Sequence, residues 1–425
     1  MPHKTVLISG AGICGPTLAF WLNAAGFVPT LIERAPALRT SGYVIDFWGL
    51  GYDIAERMGL AGELERVGYH TREMRIVDDR GRRVTGLGTR VLRELTGGRF
   101  VTLERSDLSR LLFQRVQATT EMIFGDEIAE LQELADAVQV RFKRGGQRRF
   151  DLVVGADGLH SNVRRLVFGP QARFERPLGY VAAAFELRGY QPRDDDVYVV
   201  YSEPTRMLGR FALHDDRTLF LFVFAADVDL DTAALSLAAQ KAILRRRFSD
   251  AKWECARVLD ALDRTQDLYF DRVSQIQMES WSRGRVALAG DAAFCVSLTA
   301  GQGSALAMTS AYVLAGELAN AGGRHEQAFG GYEQLLRSYI GAKQRGAERF
   351  AAAFAPKTRR GLFLRNQVMK AFAIPGLARL AFGRDVVDTL RLPDYRWRAL
   401  ASTGNQGSDA RSPEAQGRRS LVERI

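Results

Sequence analysis

Cysteine is scarce in this 425-residue chain: Cys14, Cys255 and Cys295 are odd in number and form no C-x-x-C pair. That argues against a disulfide framework or a cysteine-based zinc site and fits a reducing compartment. Histidine is equally thin, with five scattered residues, so no metal is expected. No apolar run reaches the roughly 18 residues that cross a bilayer, so no membrane span is expected. The opening MPHKTVLISG enters a strand pattern without the order of a secretory signal, which gives a cytoplasmic expectation. Acidic residues run short only at one end. From Arg337 onward there are 18 Lys and Arg against 7 Asp and Glu, while the rest of the chain is near neutral. A basic end binds nucleic acid or an anionic surface, or is a solvated helical face with a tail. No basic motif interleaved with aromatics is present, so the solvated face and tail are expected, with no nucleic-acid partner.

What is present reads as globular, with 46% hydrophobic and 25% charged residues. The length exceeds what one core supports, so two domains plus an appendage are expected. KTVLIS, ICGPTLAFWLNAAG and VPTLIER read as strand, helix and strand, a βαβ opening that implies a parallel sheet with covered faces. Strand and helix alternate over 1–72, 99–173 and 279–352. Hairpin and strand patterns fill 73–98 and 174–278, with helices expected over Thr232–Phe248 and Trp253–Leu262. TLFLFVF is apolar on both faces; helices are one expected cover and a ligand cavity the other. Residues 353–401 read as a basic helical segment and 402–425 as a disordered basic tail.

Three separated motifs point to one dinucleotide. The first is Gly10-Ala-Gly12-Ile-Cys14-Gly15 between strand and helix. Gly10 permits the turn, Gly12 lets backbone approach a pyrophosphate, and Gly15 lets the helix pack on the sheet. Glu33 ends the next strand where a ribose-binding acid belongs, and Arg34 beside it lies along the adenosine or is a surface charge. The second is Gly155-Ala-Asp157-Gly158, whose Asp reaches a ligand from a strand end or caps the next helix. The third is GDAAFCVSLTAGQGSALA. Gly290 and Asp291 follow a buried strand pattern, and Gly301, Gly303 and Ser304 open a helix whose amides favour negative charge. Asp291 binds a polyol hydroxyl or caps a helix. NAD does not need sites this far apart; an extended FAD does.

Together these motifs resemble the group A flavin monooxygenases, the para-hydroxybenzoate hydroxylase-like family, over about residues 4–345. LERSDLSRLL adds the family's Arg-x-x-Leu at Arg105 and Leu108, which places Arg105 on FAD by resemblance. SGYVIDFWG is similar to a loop beside the isoalloxazine ring, especially in the branch with tetracycline-inactivating monooxygenases; this puts Gly42, Tyr43 and Asp46 near the flavin. Asp46 is otherwise a turn or capping acid. The resemblance implies an α/β fold: a Rossmann-like FAD-binding domain with a parallel sheet, an antiparallel-sheet substrate domain and C-terminal helices. It implies that NAD(P)H reduces FAD transiently and that O2 then gives a C4a-hydroperoxide. That species passes one oxygen atom to a small molecule, with hydroxylation the leading outcome. No catalytic residue is assigned, because the flavin carries the chemistry.

A hydrophobic aromatic or polyketide-like substrate is expected against the antiparallel sheet. Its candidate lining is Phe185, Arg210, Phe220, Phe222 and Phe224; plain core packing, and a solvent-facing Arg210, are the alternatives. Many relatives carry His at Phe294 and Pro at Leu298. This chain therefore departs from the family beside the expected reaction site, which leaves open hydroxylation, epoxidation or Baeyer–Villiger insertion. Antibiotic biosynthesis or inactivation, and a monomer or homodimer, are the wider expectations. A flavoprotein reductase without oxygen insertion, and a flavin-bearing binding protein, are the alternatives.

Overall fold

The structure is a computed structural model that describes residues 4–39, 42–226, 230–298, 301–372 and 388–397. The expected tail at 402–425 lies outside them.

A six-stranded sheet runs in the order Ser282–Arg283, Val286–Leu288, Leu152–Gly155, Thr5–Ser9, Val28–Glu33, Glu121–Phe124. All neighbours are parallel except the antiparallel edge pair Ser282–Arg283 with Val286–Leu288. Val6, Leu7 and Ile8 of one central strand, and Leu152, Val153 and Val154 of the next, are all fully buried. Consecutive residues point to opposite faces, so both faces of this sheet are covered, as parallel crossovers require. The helices Cys14–Ala25 and Gly303–Asn320 pack on each other and supply part of that cover. Cys14–Ala25 stops at Gly26, whose φ of +86° only glycine adopts without strain, and Phe27 N–H closes the end on Leu22 O at 3.0 Å.

A seven-stranded sheet runs Tyr269–Ile276, Glu175–Arg188, Arg217–Ala225, Arg206–Ala212, Val197–Glu203, Glu73–Val77, Arg83–Gly88. Its pairs are antiparallel except Val197–Glu203 with Glu73–Val77. The helices Leu237–Phe248 and Cys255–Leu262 cover one face. The other face looks onto Tyr43, Leu298 and the helix Arg359–Phe372, which contributes Met369.

Several local expectations need correction. The helix expected from Thr232 begins at Leu237, because Ser236 Oγ caps it by accepting from Ala239 N–H at 3.2 Å; Thr232–Ala234 is a separate 3-10 turn. The next helix starts at Cys255 rather than Trp253, whose φ of +55° lies outside the helical region. The expected loop SGYVIDFWG contains a strand, Val44–Trp48, paired antiparallel with Phe100–Glu104. Of the expected helical segment 353–401, Arg359–Phe372 is a helix and 388–397 has none among the described residues, while 373–387 and 398–401 lie outside them. The stretch 388–397 is a strap: Asp388 accepts from Leu50 N–H at 2.9 Å, and Tyr395 Oη donates to Glu317 at 2.7 Å.

Candidate active site

Parallel strands end together, so register decides what meets at their carboxyl edge. Ser9 lies beside Ile32 and Gly155, and Gly155 beside Leu288. The residues that follow these positions, namely Gly10, Glu33, Asp157 and Asp291, therefore gather at one edge. Gly10 has φ +106°, and a Cβ there would stand 2.5 Å from Ala156 O. A Cβ at Gly15 would stand 1.9 Å from Gly10 O, so the helix packs onto the turn only through glycine. Gly12 is different: a Cβ there would meet only Arg105 Nη2, at 3.7 Å. Its open side is a cradle of the kind a pyrophosphate fills. Glu33 accepts from Ala11 and Ala35 N–H, both at 3.0 Å, which holds the turn against the second strand. Arg34 is exposed. Cys14 is buried with Sγ 3.7 Å from Ser310 Oγ, and burial pushes its thiol up to about 12, which leaves it a packing thiol.

Arg105 lies between these motifs. Its backbone N–H donates to Tyr43 O at 3.1 Å, and its charge opposes the rise that burial imposes on the Asp291 carboxyl and the Tyr43 hydroxyl. Among the described residues its guanidinium donates no hydrogen bond to a side chain. Asp291 is hydrogen-bonded to Cys295, and its Oδ1 is 3.9 Å from where a Gly303 Cβ would be. Gly290 at φ +60° donates its N–H to Ser310 Oγ at 2.9 Å, and Gly301 at φ +64° donates to Leu298 O at 3.1 Å. Ser304 lies in the first turn of Gly303–Asn320. A cation without a carboxylate partner among the described residues, an open glycine and the starts of two helices thus border one cleft, which suits an anionic dinucleotide.

Asp157 takes the capping role left open by its sequence. It accepts from Ser161 Oγ at 2.5 Å, Asn162 N–H at 2.9 Å and Val163 N–H at 3.1 Å, while Gly158 turns the chain at φ +78°. Asp46 is exposed and accepts from Thr102 Oγ at 2.6 Å. Gly42 stands beside Arg105, with a built Cβ 4.0 Å from Arg105 Cβ.

The substrate lining drawn from sequence falls on the helix-covered face of its sheet. Phe185, Phe220, Phe222 and Phe224 are buried against the helices Leu237–Phe248 and Cys255–Leu262; Phe222 meets Phe248 edge-on at 4.9 Å. Arg210 shares that face. It is 4% exposed, donates to Pro192 O at 2.5 Å and to Glu254 at 3.1 Å, and pairs with Asp194. Phe294 is core too, 4.6 Å from the Trp281 ring. Leu298 does reach the cleft side, among Leu221, Tyr198, Tyr269 and Met369. A strand apolar on both faces fixes which residues share a side but not what covers each side.

The sequence reading missed the residues on the cleft side. Leu221 and Val223 alternate with the phenylalanines, and Tyr198 and Tyr269 stand on the same face. Tyr198 Oη lies over Gly209, where a Cβ would be 2.5 Å away. Burial, with the charge of Asp46 adding to it, pushes the Tyr198 hydroxyl above its ordinary range. Tyr43 and Tyr269 face each other at 5.5 Å. The alternate residues of TLFLFVF were the available signal.

The model of a family described as FAD binding domain matches residues 3–342. An uncharacterized Mycobacterium tuberculosis protein is 39% identical over 80% of this chain and 92% of its own. A flavin-dependent monooxygenase of Legionella longbeachae is 31% identical over 92% of this chain and 98% of its own. The crystal structure of tetracycline destructase Tet(55) superposes with a TM-score of 0.79 at 30% identity, covering 93% of this chain and all of that one. With the cleft at the carboxyl edge of its parallel sheet, this chain belongs to the FAD-binding-domain family and is a flavin-dependent monooxygenase.

Proposed function

We propose that FAD lies along this cleft and that the chain oxygenates a hydrophobic aromatic or polyketide-like molecule held against the Leu221–Tyr198–Tyr269 face. The open side of Gly12 beside the Arg105 guanidinium carries the cofactor assignment. Backbone at Gly10, Gly12, Cys14 and Gly15 would take the pyrophosphate, and Glu33 and Arg34 the adenosine end. Asp291 and the amides at Gly301, Gly303 and Ser304 would take the ribityl chain and ring. Arg105, Gly42, Tyr43 and Asp46 border the same space, and Asp157, Gly158 and Gly290 shape its turns. Bound and reduced by NAD(P)H, FAD supplies the activation of dioxygen. The protein binds, orients and excludes water. Leu221, Val223 and Leu298 give the substrate an apolar seat, and the Tyr198 and Tyr269 hydroxyls, held protonated by burial, offer hydrogen bonds to its polar edge. A fold neighbour named for destroying tetracycline supports a polycyclic substrate.

The test is turnover of a panel of aromatic and polyketide compounds with NADH or NADPH under labelled dioxygen. The expected result is yellow protein whose NAD(P)H oxidation rises with the right compound and whose product gains one labelled oxygen. Product without label overturns the proposal, as does protein that binds no added FAD.

A further inference from the structure

We propose that the helix Arg359–Phe372 docks this enzyme onto an anionic lipid surface. The helix has one face turned inward and one outward. Inward, Met369 joins the apolar cluster of Leu298, Tyr198 and Tyr269, and Arg365 donates to Ser202 Oγ at 3.1 Å. Outward, Phe363, Leu364 and Val368 are 66%, 64% and 41% exposed. They make up three of the five exposed large hydrophobic residues among the described residues. Arg359, Arg360 and Lys370 are exposed on the same helix, with Lys357 just before it. The helix RRGLFLRNQVMKAF carries no acidic residue.

This combination selects among occupants. A second copy seated by two-fold symmetry would bring basic helix against basic helix, and like charges oppose that contact. A nucleic acid would match the arginines but leave Phe363 and Leu364 in water. An anionic bilayer surface takes both: apolar side chains enter the acyl boundary, while the long basic side chains reach the headgroups. No helix is long and apolar enough to cross a membrane among the described residues, so the contact is interfacial. The helix is about 10 Å thick, so a surface bound outside it lies one helix away from Leu298. Docking itself does not depend on the substrate reading, and its test does not use turnover.

The full-length protein is sedimented with vesicles of phosphatidylcholine alone or with about one-third phosphatidylserine. Binding is expected to the anionic vesicles only and to fall with added salt. The double variant Phe363→Ser with Leu364→Ser is expected to weaken it roughly tenfold or more, with flavin content unchanged as the control for folding. Arg359→Glu with Arg360→Glu is expected to weaken it similarly. Absence of vesicle binding overturns the proposal. So does binding that survives both double variants but disappears on removing residues 398–425, or a dimer in solution that the Phe363 and Leu364 changes convert to monomer.

Discussion

Replacing Arg210 by methionine separates a structural arginine from a substrate-orienting one. The guanidinium is 4% exposed and serves Pro192 O, Asp194 and Glu254 together. Methionine fills much of the volume but leaves Glu254, whose side chain is 14% exposed, facing Tyr190 Oη at 2.8 Å and Arg257 at 3.9 Å. Removing one partner of a buried pair destabilises by about 3–5 kcal/mol. Asp194 is 31% exposed and recovers water, so the low end, about 3 kcal/mol, is expected. Burial already raises the Glu254 carboxyl, against the pull of Arg210. Without Arg210 the folded value rises further. An acid with a raised folded value binds its proton more tightly when folded, so the penalty is full at neutral pH and shrinks as pH falls through that value. The variant should therefore melt several degrees below the parent at neutral pH, with a smaller gap in acid. Its KM and its kcat per bound flavin should stay within about twofold, since Arg210 lies on the helix-covered face. Unchanged melting with a large rise in KM would refute the placement.

Gly15→Ala places a methyl 1.9 Å from Gly10 O, a backbone atom that cannot move aside. The purified variant should retain less than about a tenth of the parent's flavin absorbance; full yellow colour would contradict the cradle. Neighbouring residues of one strand test the two sheet faces. Phe222→Ala should destabilise by about 3–5 kcal/mol with KM unchanged, whereas Leu221→Ala should raise KM roughly tenfold with little change in melting; the reverse pattern would return the substrate to the phenylalanine face. His160 Nε2 lies 2.7 Å from Asp271, and that hydrogen bond raises the imidazole's affinity for its proton. The stability it contributes is full in acid and is lost as pH rises through the raised value. Asp271→Asn should therefore shift the NMR titration of His160 to lower pH, and an identical titration would refute the pairing.

What was legible in the sequence was what a short stretch dictates. Gly10, Gly12 and Gly15 declare a turn, an open approach and a close packing because no other residue allows all three at that spacing. The strands that follow carry their acids to the same edge by parallel register. Even there a local pattern left two roles for Asp157, and only the positions of Ser161, Asn162 and Val163 made it a cap. Arg210 illustrates the opposite limit. Its carboxylate partners lie 16 and 44 residues away, so nothing near it in the chain marked it as paired.

The C-terminal strap shows that a distant contact can still leave a local mark. Gly316 sits inside the helix Gly303–Asn320, where glycine is worse than alanine by about 1 kcal/mol. A Cβ there would stand 2.2 Å from the Tyr395 ring, so the glycine admits the strap. Gly49, at φ +68°, does the same for Asp388, whose Oδ2 would lie 2.3 Å from a Cβ. Asp388 also accepts from Tyr339 Oη at 2.5 Å and pairs with Lys343 at 2.8 Å. Gly49 directly follows the strand Val44–Trp48, whose Trp48 ring comes within 3.8 Å of a Cβ built at Gly301 on the cleft. The turn that ends this strand is thereby tied to a residue 338 positions later in the chain, through Leu50 N–H and Asp388. Gly49 is also required by its own positive φ, but Gly316 is unfavourable for its helix and makes sense with the strap in place, which makes 388–397 a part of the architecture that positions the cleft.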